Sequence, residues 1–391
     1  MLTLCVRIWL VIQKLFKNFL SSKERSNIYS LLICEKVCKA FNSSPAAAKV
    51  SLPPVSRSIT QTAHNGFKPP AWSQRTLHIY NSSIGPLRNA GHFVLRFIRP
   101  WNSGALNMVY EEIAPSIQLK HYINCFWMIH SSEQVDIMDR TFPDGCQEII
   151  FNLETQVRRD DGQGFFDNPE VELVGQMTRP YNIVTRGRQT FFGVKFFPHS
   201  FSAFTHESIN DLKDQSIDAH LLLGREFRYV IEHLHNVPSL KNFAHAMEAF
   251  LARRLSTERM RTYQLVERAV QHLFSDSDIG NIDALAHRFG VSDRYLQQTF
   301  KQHVGLTPKQ LWKMIRFQRS FRYLSGGDES ITDVAYRCGY YDHAHFAHDF
   351  KSLAGMTPSQ YQSTTLPLNQ FFLAPGSRTY LCNYADTYTS F

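Results

Sequence analysis

The chain has 391 residues, enough for two or three domains of ordinary size. Its formal charge of +8 comes from 42 Lys and Arg residues against 34 acids, but residues 1–107 hold 14 of those bases and only Glu24 and Glu35 among the acids. Acids slightly outnumber bases after residue 107, so net charge does not by itself support nucleic-acid binding there. The seven cysteines show no CxxC spacing, which indicates a reducing compartment and predicts a cytoplasmic protein.

The first 107 residues differ in composition from the rest of the chain. The leading apolar stretch is interrupted by Arg7, Lys14 and Lys17, so it falls short of the ~20 apolar residues that span a bilayer, and no membrane association is predicted. No periodic pattern persists in the Ser-, Pro- and Ala-rich remainder. We expect residues 1–107 to be disordered, or to be upstream sequence translated from a misplaced start codon ahead of Met108.

Residues 108–205 read as a β-rich domain. Short apolar, aromatic and β-branched runs, among them INCFWMIH, CQEIIFNL and TFFGVKFF, are separated by turn signals such as Pro143-Asp144-Gly145. This spacing is typical of a β-sandwich or a small barrel. Residues 206–258 then show a helical pattern, in VIEHLHNV and FAHAMEAFLARRL, which predicts a helical linker that either covers the barrel or mediates dimerisation.

A repeat organises the C-terminal part of the chain. Residues 282–310 and 331–360 align with one inserted residue, and each copy begins with a short helix bearing one apolar stripe. Gly290 or Gly339 then stops that helix, because glycine adopts the left-handed conformation without a Cβ penalty. A Ser or Asp N-cap opens a second helix with a polar outer face. Each copy is therefore a helix-turn-helix unit.

Two such units joined by one helix can bind DNA. A helix fits the major groove, and the forked side chains of Arg and Gln match base edges. The connector KQLWKMIRFQRSFRYLSGG would hold the two second helices about one DNA turn apart, roughly 34 Å. A plain helical interaction domain is the alternative, and the matched tandem pair favours DNA binding over it.

Residues 263–362 resemble the DNA-binding domain of the AraC/XylS family of bacterial transcriptional regulators. The resemblance is carried by ALAHRFGVSDRYLQQTFKQHVGLTPKQL, RFQRSFRYL and ITDVAYRCGYYDHAHFAHDFKSLAGMTPSQY. It covers about a quarter of the chain and implies an all-α tandem helix-turn-helix domain over residues 259–362. Residues 363–391 stay unassigned.

The resemblance also implies which residues meet DNA. The family's base-reading positions fall on Arg294, Gln297 and Gln298 in the first unit and on His343, Ala344, Ala347 and His348 in the second, with Lys301 and Lys351 beside them for the backbone. Two alanines at reading positions weaken direct readout by the second helix, which favours phosphate or shape contacts there.

Regulators of this family often carry an N-terminal cupin-like sensor, and FPDGCQEIIFNL resembles an early strand pair of such sensors. The predicted fold class is therefore α+β, with an N-terminal β-rich cupin-like barrel and a C-terminal all-α tandem helix-turn-helix domain. The predicted function is sequence-specific, effector-responsive regulation of transcription. Double-stranded DNA is the main predicted partner, and RNA polymerase, a small-molecule effector and a second copy of the chain are further candidates.

The rival class is an enzyme, either of the cupin type or a repair enzyme fused to a helix-turn-helix domain. A metal-dependent cupin needs strand-borne histidines, whereas His233 and His235 lie in a helical pattern that separates them. His345 and His348 have metal-compatible spacing but fall in the proposed recognition helix. Cys125 and Cys146 read as buried strand residues instead of reactive thiols. We therefore predict no catalytic residue, no metal and no cofactor.

The effector site is not predicted residue by residue. Aromatic side chains in the β-rich region, Phe126, Trp127, Phe142 and Phe151, are candidates either for a pocket or for the core. The sequence also leaves open whether an orphan regulator uses its β domain only to dimerise.

Overall fold

The fold is described from a computed structural model. It covers the backbone of 78–80 and 94–100, and then 107–377 apart from 161, 163, 225, 237–238, 256–259, 276–283, 326–328, 367 and 374–376. The prediction for residues 1–107 therefore lies, except at two strands, outside the described residues, as do residue 282 of the repeat and most of the tail after residue 373. None of the helices in the described part of the chain is long and apolar enough to cross a membrane.

Twelve strands form two antiparallel sheets within the described ranges. The larger sheet has the order β1-β2-β3-β4-β11-β6-β9-β12, and the smaller has the order β5-β10-β7-β8. The strands of the larger sheet are β1 His78–Tyr80, β2 Val94–Pro100, β3 Asn107–Ile113, β4 Ile123–Gln134, β6 Glu148–Asn152, β9 Val171–Val174, β11 Arg188–Phe196 and β12 Ser216–Asp218. Those of the smaller sheet are β5 Ile137–Thr141, β7 Gln156–Asp160, β8 Phe165–Asp167 and β10 Tyr181–Arg186.

The β-rich region and the α+β class are confirmed, but the predicted barrel is not closed. Each sheet ends in two edge strands that pair on one side only, and no ladder among the described strands joins the sheets. A closed barrel requires a continuous ring of paired strands. The domain is therefore an open two-sheet structure that encloses an interior between the sheets.

The central strands of the larger sheet are buried on both faces. Alternation along the strands places Phe126 of β4, Phe151 of β6 and Phe192 of β11 on one face. There they contact Phe243 with ring centroids 5.0 to 6.1 Å apart. Three helices supply this covering layer, α1 Ala219–Leu223, α2 Phe227–Asn236 and α3 Leu240–Arg254. The helical segment after the strands thus packs on the sheet.

The opposite face of the larger sheet points at the smaller sheet. Cys125, Trp127 and Ile129 of β4 alternate with the residues of the helical face and share a core with Ile137 and Val157 of the smaller sheet. Gly193 of β11 lies opposite Trp127, and a Cβ there would come within 2.0 Å of the indole ring. The absence of a side chain at Gly193 therefore allows Trp127 to lie flat across the sheet.

The helix-turn-helix region contains two apolar cores on one connector. Its helices are α4 Met260–Ser275, α5 Leu285–Arg288, α6 Asp293–Val304, α7 Pro308–Leu324, α8 Ile331–Arg337, α9 His343–Ala354 and α10 Pro358–Ser363, followed by α11 Asn369–Phe372 in the tail. The first core includes Leu296 and Ile315, and the second includes Phe317 and Phe350. The connector α7 contributes to both cores, so it fixes one helix-turn-helix unit against the other.

Candidate nucleic-acid interface

Helix α6 is the second helix of the first unit, and local sequence sets both of its ends. The Ser292 hydroxyl accepts a hydrogen bond from the Tyr295 N–H at 3.3 Å, which caps the first turn. Gly305 ends the helix in the left-handed conformation at φ 80°. Leu296 and Phe300 are buried against the first core. The remaining face of α6 is consequently left for solvent or a partner.

The four residues predicted to read or contact DNA from α6, namely Arg294, Gln297, Gln298 and Lys301, are all exposed. The neighbouring residue Tyr295 is 44% exposed. A position one residue before buried Leu296 lies at the edge of the apolar stripe, where periodicity does not decide between the faces. Tyr295 therefore joins the outward surface.

Helix α9 is the corresponding helix of the second unit. The Asp342 carboxylate accepts from the His345 N–H at 2.7 Å and caps it, while Phe346 and Phe350 enter the second core. The predicted positions His343, Ala344, His348 and Lys351 are exposed, and Ala347 is half-buried. The structure thus brings the predicted residues together on the outward faces of two matched helices.

A buried carboxylate that sequence reasoning missed anchors α9 to the connector. Asp349, 6% exposed, receives Lys313 at 2.9 Å and Arg316 at 3.7 Å, both from α7. His345 and His348 lie 3.5 and 3.7 Å from the same carboxylate. Helical periodicity places Asp349 inward with Phe346 and Phe350, but it does not predict which basic side chains of α7 bind the carboxylate.

Arg316 connects this cluster to the turn of the second unit. Its guanidinium lies 4.1 Å from the ring centroid of Tyr340, and Nη1 donates to the Gly339 carbonyl at 3.1 Å. Arg316 therefore holds both the turn of the second unit and helix α9 against the connector α7, which is a structural role.

The β domain holds the C-terminal ends of both outward helices. Gln147 Nε2 donates to the Val304 carbonyl at the end of α6, and Arg140 Nη1 donates to the Ala354 carbonyl at the end of α9, each at 3.4 Å. These carbonyls belong to the last turn, which has no intrahelical partner. The two helices are thus fixed at the same end by one domain.

One loop carries a further part of this contact. It runs between β5 and β6, from Phe142 to Gln147, and is called the interdomain loop below. The Phe142 ring stacks on Phe321 with centroids 5.3 Å apart, and the Pro143 carbonyl accepts from Gln318 Nε2 at 2.7 Å, both on the connector α7. Cys146 is buried in the first helix-turn-helix core, and this burial raises the pKa of its thiol well above the ordinary value. Cys146 was predicted on a strand, but it lies in this loop.

The interior between the two sheets contains a cavity of about 140 Å³. Of the four aromatic candidates, Trp127 and Phe142 line this cavity, whereas Phe126 and Phe151 belong to the core beneath the helices. Alternation separates them, because neighbouring residues on a strand face opposite sides of the sheet. The cavity also touches the interdomain loop, at Asp144 and Cys146, and the connector, at Gln318.

No metal centre is evident in the part of the chain that the structure describes. It contains no group of three or more His, Cys, Asp or Glu side chains that could hold an ion. The backbone of His233 and His235 lies in helix α2.

Two family models match the chain. A model described as a domain of unknown function, DUF6597, matches residues 111–218, which contain most of the β domain. A model described as a helix-turn-helix domain matches residues 285–364. Together with the geometry, the second match defines the C-terminal region as a tandem helix-turn-helix domain.

The relatives narrow this class to a family. The chain is 37% identical over 82 residues to the HTH-type transcriptional activator RhaS of Escherichia coli strain SE11, which covers 21% of this chain and 30% of RhaS. The RhaS protein of Escherichia fergusonii is 36% identical over 78 residues, covering 20% of this chain and 28% of the relative. The chain thus spans less than a third of the length of these relatives. These matches support the predicted resemblance of the helical domain to the AraC/XylS family.

Among solved structures, the chain is similar to two further proteins. The C-terminal domain of AraT, a response regulator from Geobacillus stearothermophilus, is 31% identical with a TM-score of 0.24, covering 26% of this chain and 86% of that domain. ToxT from Vibrio cholerae is 12% identical with a TM-score of 0.36, covering 59% of this chain and 98% of ToxT.

Proposed function

We propose that this chain is a transcription regulator that binds specific double-stranded DNA through the outward faces of α6 and α9. The observation that carries the proposal is the matched pair of exposed helices, each capped at its start and each held at its C-terminal end by the β domain. A rigid pair can enter two successive major grooves from one side of the duplex. The exposed Arg and Gln side chains of α6 supply the donors that read base edges.

The two helices have unequal roles in this proposal. Arg294, Gln297 and Gln298 give α6 three forked or polar side chains, whereas Ala344 and Ala347 of α9 carry no hydrogen-bonding group. His348 is turned toward the Asp349 carboxylate, which leaves it less free to reach a base. Helix α6 therefore discriminates between sequences, and α9 with Lys351 mainly fixes position on the backbone.

The test compares two exposed residues of the same helix on DNA selected from a random pool. We expect Arg294→Ala to weaken binding to the selected site by about 1 to 3 kcal/mol and to relax the preference at one base pair. Lys301→Ala should weaken selected and random DNA alike and reduce the salt slope by about 1. Fluorescence anisotropy at several salt concentrations measures both effects. An equal loss on both DNAs for Arg294→Ala would remove it from base reading.

The β domain is the proposed effector domain, and the enclosed cavity is the proposed site. Its position against the interdomain loop supports this role, because a bound molecule would alter contacts that reach α7. We propose no catalytic activity, and a place in the cytoplasm beside the chromosome. RNA polymerase contact and self-association stay predictions, which transcription in vitro and sedimentation would test.

The domain limits also stay proposals. We assign residues 108–205 to the sensor, 206–258 to the linker, and 259–362 to the DNA-binding domain. Strand β12 at Ser216–Asp218 pairs with β9, so at least one strand of the larger sheet follows residue 205.

A further inference from the structure

The cavity between the sheets has an apolar body of defined size. The inner face of the larger sheet contributes Trp127, Ile150 and Phe191, and the smaller sheet contributes Tyr181 and Ile183. Its volume of about 140 Å³ is close to the ~150 Å³ at which an apolar protein cavity holds a benzene-sized molecule. The walls therefore suit a single aromatic ring or an aliphatic body of similar size.

One end of the cavity is ionic. Lys195 of β11, 3% exposed, is directly opposite Glu148 of β6 in the antiparallel register, with Nζ 3.1 Å from the Glu148 carboxylate. The same ammonium also donates to Asp144 of the interdomain loop. Two carboxylates thus share one ammonium in a largely buried place, and one negative charge is left uncompensated when both acids are ionised.

The charge excess is confined to this end. Further along, the carboxyl group of Glu172 also lines the cavity, and it accepts hydrogen bonds from Asn168 at 3.0 Å and from Ser216 at 2.5 Å. Burial raises the pKa of Glu172, against the smaller lowering effects of these hydrogen bonds and of the Arg159 charge. Glu172 therefore already has donors around its carboxyl group.

A second polar residue that lines the cavity has a hydrogen-bond acceptor for which no donor is in place. Asn152 of β6 is 7% exposed and uses its Nδ2 toward the Pro169 carbonyl at 2.9 Å, but its Oδ1 accepts from no group in the described part of the chain. A buried carbonyl oxygen without a donor costs about 1 to 3 kcal/mol relative to a paired one. Asn152 lies four residues along β6 from Glu148, on the same face, so the unpaired acceptor and the ionic end belong to one elongated space.

The tail closes one side of this space. Leu368, Asn369 and Phe372 line it, and the Phe372 ring meets the Trp127 ring edge-on with centroids 5.2 Å apart. Asn369 Nδ2 donates to the Asp139 carboxylate at 2.6 Å and so holds the tail in place. The tail covers part of the cavity, and burial of Lys195 lowers the effective dielectric at the ionic end, which strengthens electrostatic complementarity there.

We propose that this cavity binds a small primary amine carried on one aromatic ring with a second hydrogen-bond donor at its far side. The ammonium would lie beside Asp144 and Glu148 and supply the missing positive charge. The ring would lie between Trp127 and Phe191, and the far donor would pair with Asn152 Oδ1. The inference rests on the proposed function in one respect, that the amine would be the effector of the DNA-binding domain.

Charge selectivity is the direct test, with three probes of one shape. The probes are 4-hydroxybenzylamine, 4-hydroxybenzyl alcohol and 4-hydroxybenzoate, titrated into the full chain at pH 7 by isothermal titration calorimetry. We expect the amine to bind at least about tenfold more tightly than the alcohol, and the benzoate to show no saturable binding, because charge-assisted hydrogen bonds exceed neutral ones and two carboxylates repel an anion. Equal affinities for amine and alcohol, or tighter binding of the benzoate, would overturn the proposal.

Two variants locate the selectivity. Glu148→Gln keeps the shape of the side chain and removes one charge, so the ratio of amine to alcohol affinity should fall toward one. Glu207→Gln makes the same change at an exposed position outside the cavity and should leave the ratio unchanged. If Glu148→Gln does not fold, as judged by circular dichroism, Asp144→Asn removes the other charge from a less buried side chain, 25% exposed. A ratio that persists in the folded variant places the amine elsewhere and refutes the site.

The proposed amine site and the proposed DNA-binding function can be refuted independently. Selective amine binding without sequence-specific DNA binding would remove the proposed function and leave the amine site standing. Specific DNA binding without amine selectivity would do the reverse.

Discussion

Substitution of Gly305 would test whether the β domain presses on the end of helix α6. The residue ends α6 at φ 80°, and a Cβ built on it would lie 3.1 Å from both the Cβ of Gln176 and the carbonyl oxygen of Ile209, which belong to the β domain and its following 3₁₀ turn. Gly290 has the same task in the turn of the first unit, with φ 67°, but no described atom lies within 4 Å of its added Cβ. The two glycines thus share a conformation and differ in their surroundings.

The steric contact at Gly305 allows the free-energy cost of the left-handed backbone conformation to be separated from the cost of steric overlap. Placing alanine in the left-handed region costs about 1 to 2 kcal/mol at either position. At Gly305 the methyl group also meets backbone and a Cβ that cannot swing away, and overpacking of this kind costs about 1 to 3 kcal/mol more. We therefore expect Gly290→Ala to lower the free energy of unfolding by about 1 to 2 kcal/mol and Gly305→Ala by about 2 to 5 kcal/mol.

Urea unfolding of the full chain, followed by tryptophan fluorescence and circular dichroism, measures both changes. The comparison requires that the two variants keep the slope of the parent protein, since only then does a shifted midpoint report stability alone. Losses that agree within about 0.5 kcal/mol would show that the β domain does not bear on Gly305 in solution. The assignment of a rigid contact between the domains would then be wrong.

Three further predictions address burial, the tail and the start of the sensor. Burial lowers the pKa of His199 to about 3, and the nearby His303 adds to the effect. Below pH 6.5 the unfolded chain binds a proton that the folded chain does not, so the free energy of unfolding should fall by about 2 kcal/mol between pH 6.5 and 5. Thermal melts should show a weaker loss of stability over this range for His199→Leu, and a pH profile identical to that of the parent protein would refute the shift. Asn369→Ala should lower the free energy of unfolding by about 1 to 3 kcal/mol because Asp139 loses a buried donor, whereas the same change at exposed Asn210 should stay within about 0.5 kcal/mol. A fragment that starts at Met108 should melt at the temperature of the full chain, and a lower melting temperature would show that β2, which pairs with β3 in the structure, stabilises the sensor.

The parts of the fold that were predictable are those with a local signature. Gly290 and Gly305 mark helix ends because few other residues adopt positive φ, and both do so in the structure. Thr307 and Thr357 each begin a helix with proline in its first turn and a glutamine three residues after the threonine, and both form capping boxes. A repeat of such signals over two units left little freedom in the topology.

The ionic end of the cavity could not be predicted, because its signal is ambiguous. Glu148 and Lys195 alternate with buried residues on strands β6 and β11, and such alternation is typical of a sheet with one solvated face. The smaller sheet covers that face, so the polar positions line an interior instead of meeting water. The pairing of β5, β10, β7 and β8 into a separate sheet depends on contacts distant in sequence, which a local pattern does not encode.

The contacts of the tail and of Asp349 could not be predicted from local sequence patterns either. Leu368 and Phe372 have no helical or strand period, since they bind as single side chains against surfaces built by the rest of the chain. Asp349 lies in the apolar stripe of α9, three residues after Phe346, and Lys313 and Arg316 of α7 bind it there. Burial of a charged group is decided by its partners, and those partners are known only after the helices are packed.

The interdomain loop connects the cavity directly to helix α6 and to the connector α7. Asp144 accepts a hydrogen bond from Lys195 at the ionic end. The carbonyl of the preceding residue, Pro143, accepts a hydrogen bond from the connector α7, and Cys146 is packed in the first helix-turn-helix core. Gln147, the next residue, holds the end of α6 through Val304. Within these five residues, Asp144 contacts the cavity, while Pro143, Cys146 and Gln147 contact the helical domain. A ligand that changed the ionic partners of Asp144 would act next to the contacts of α7 and α6, as the proposed coupling between an effector site and DNA binding requires.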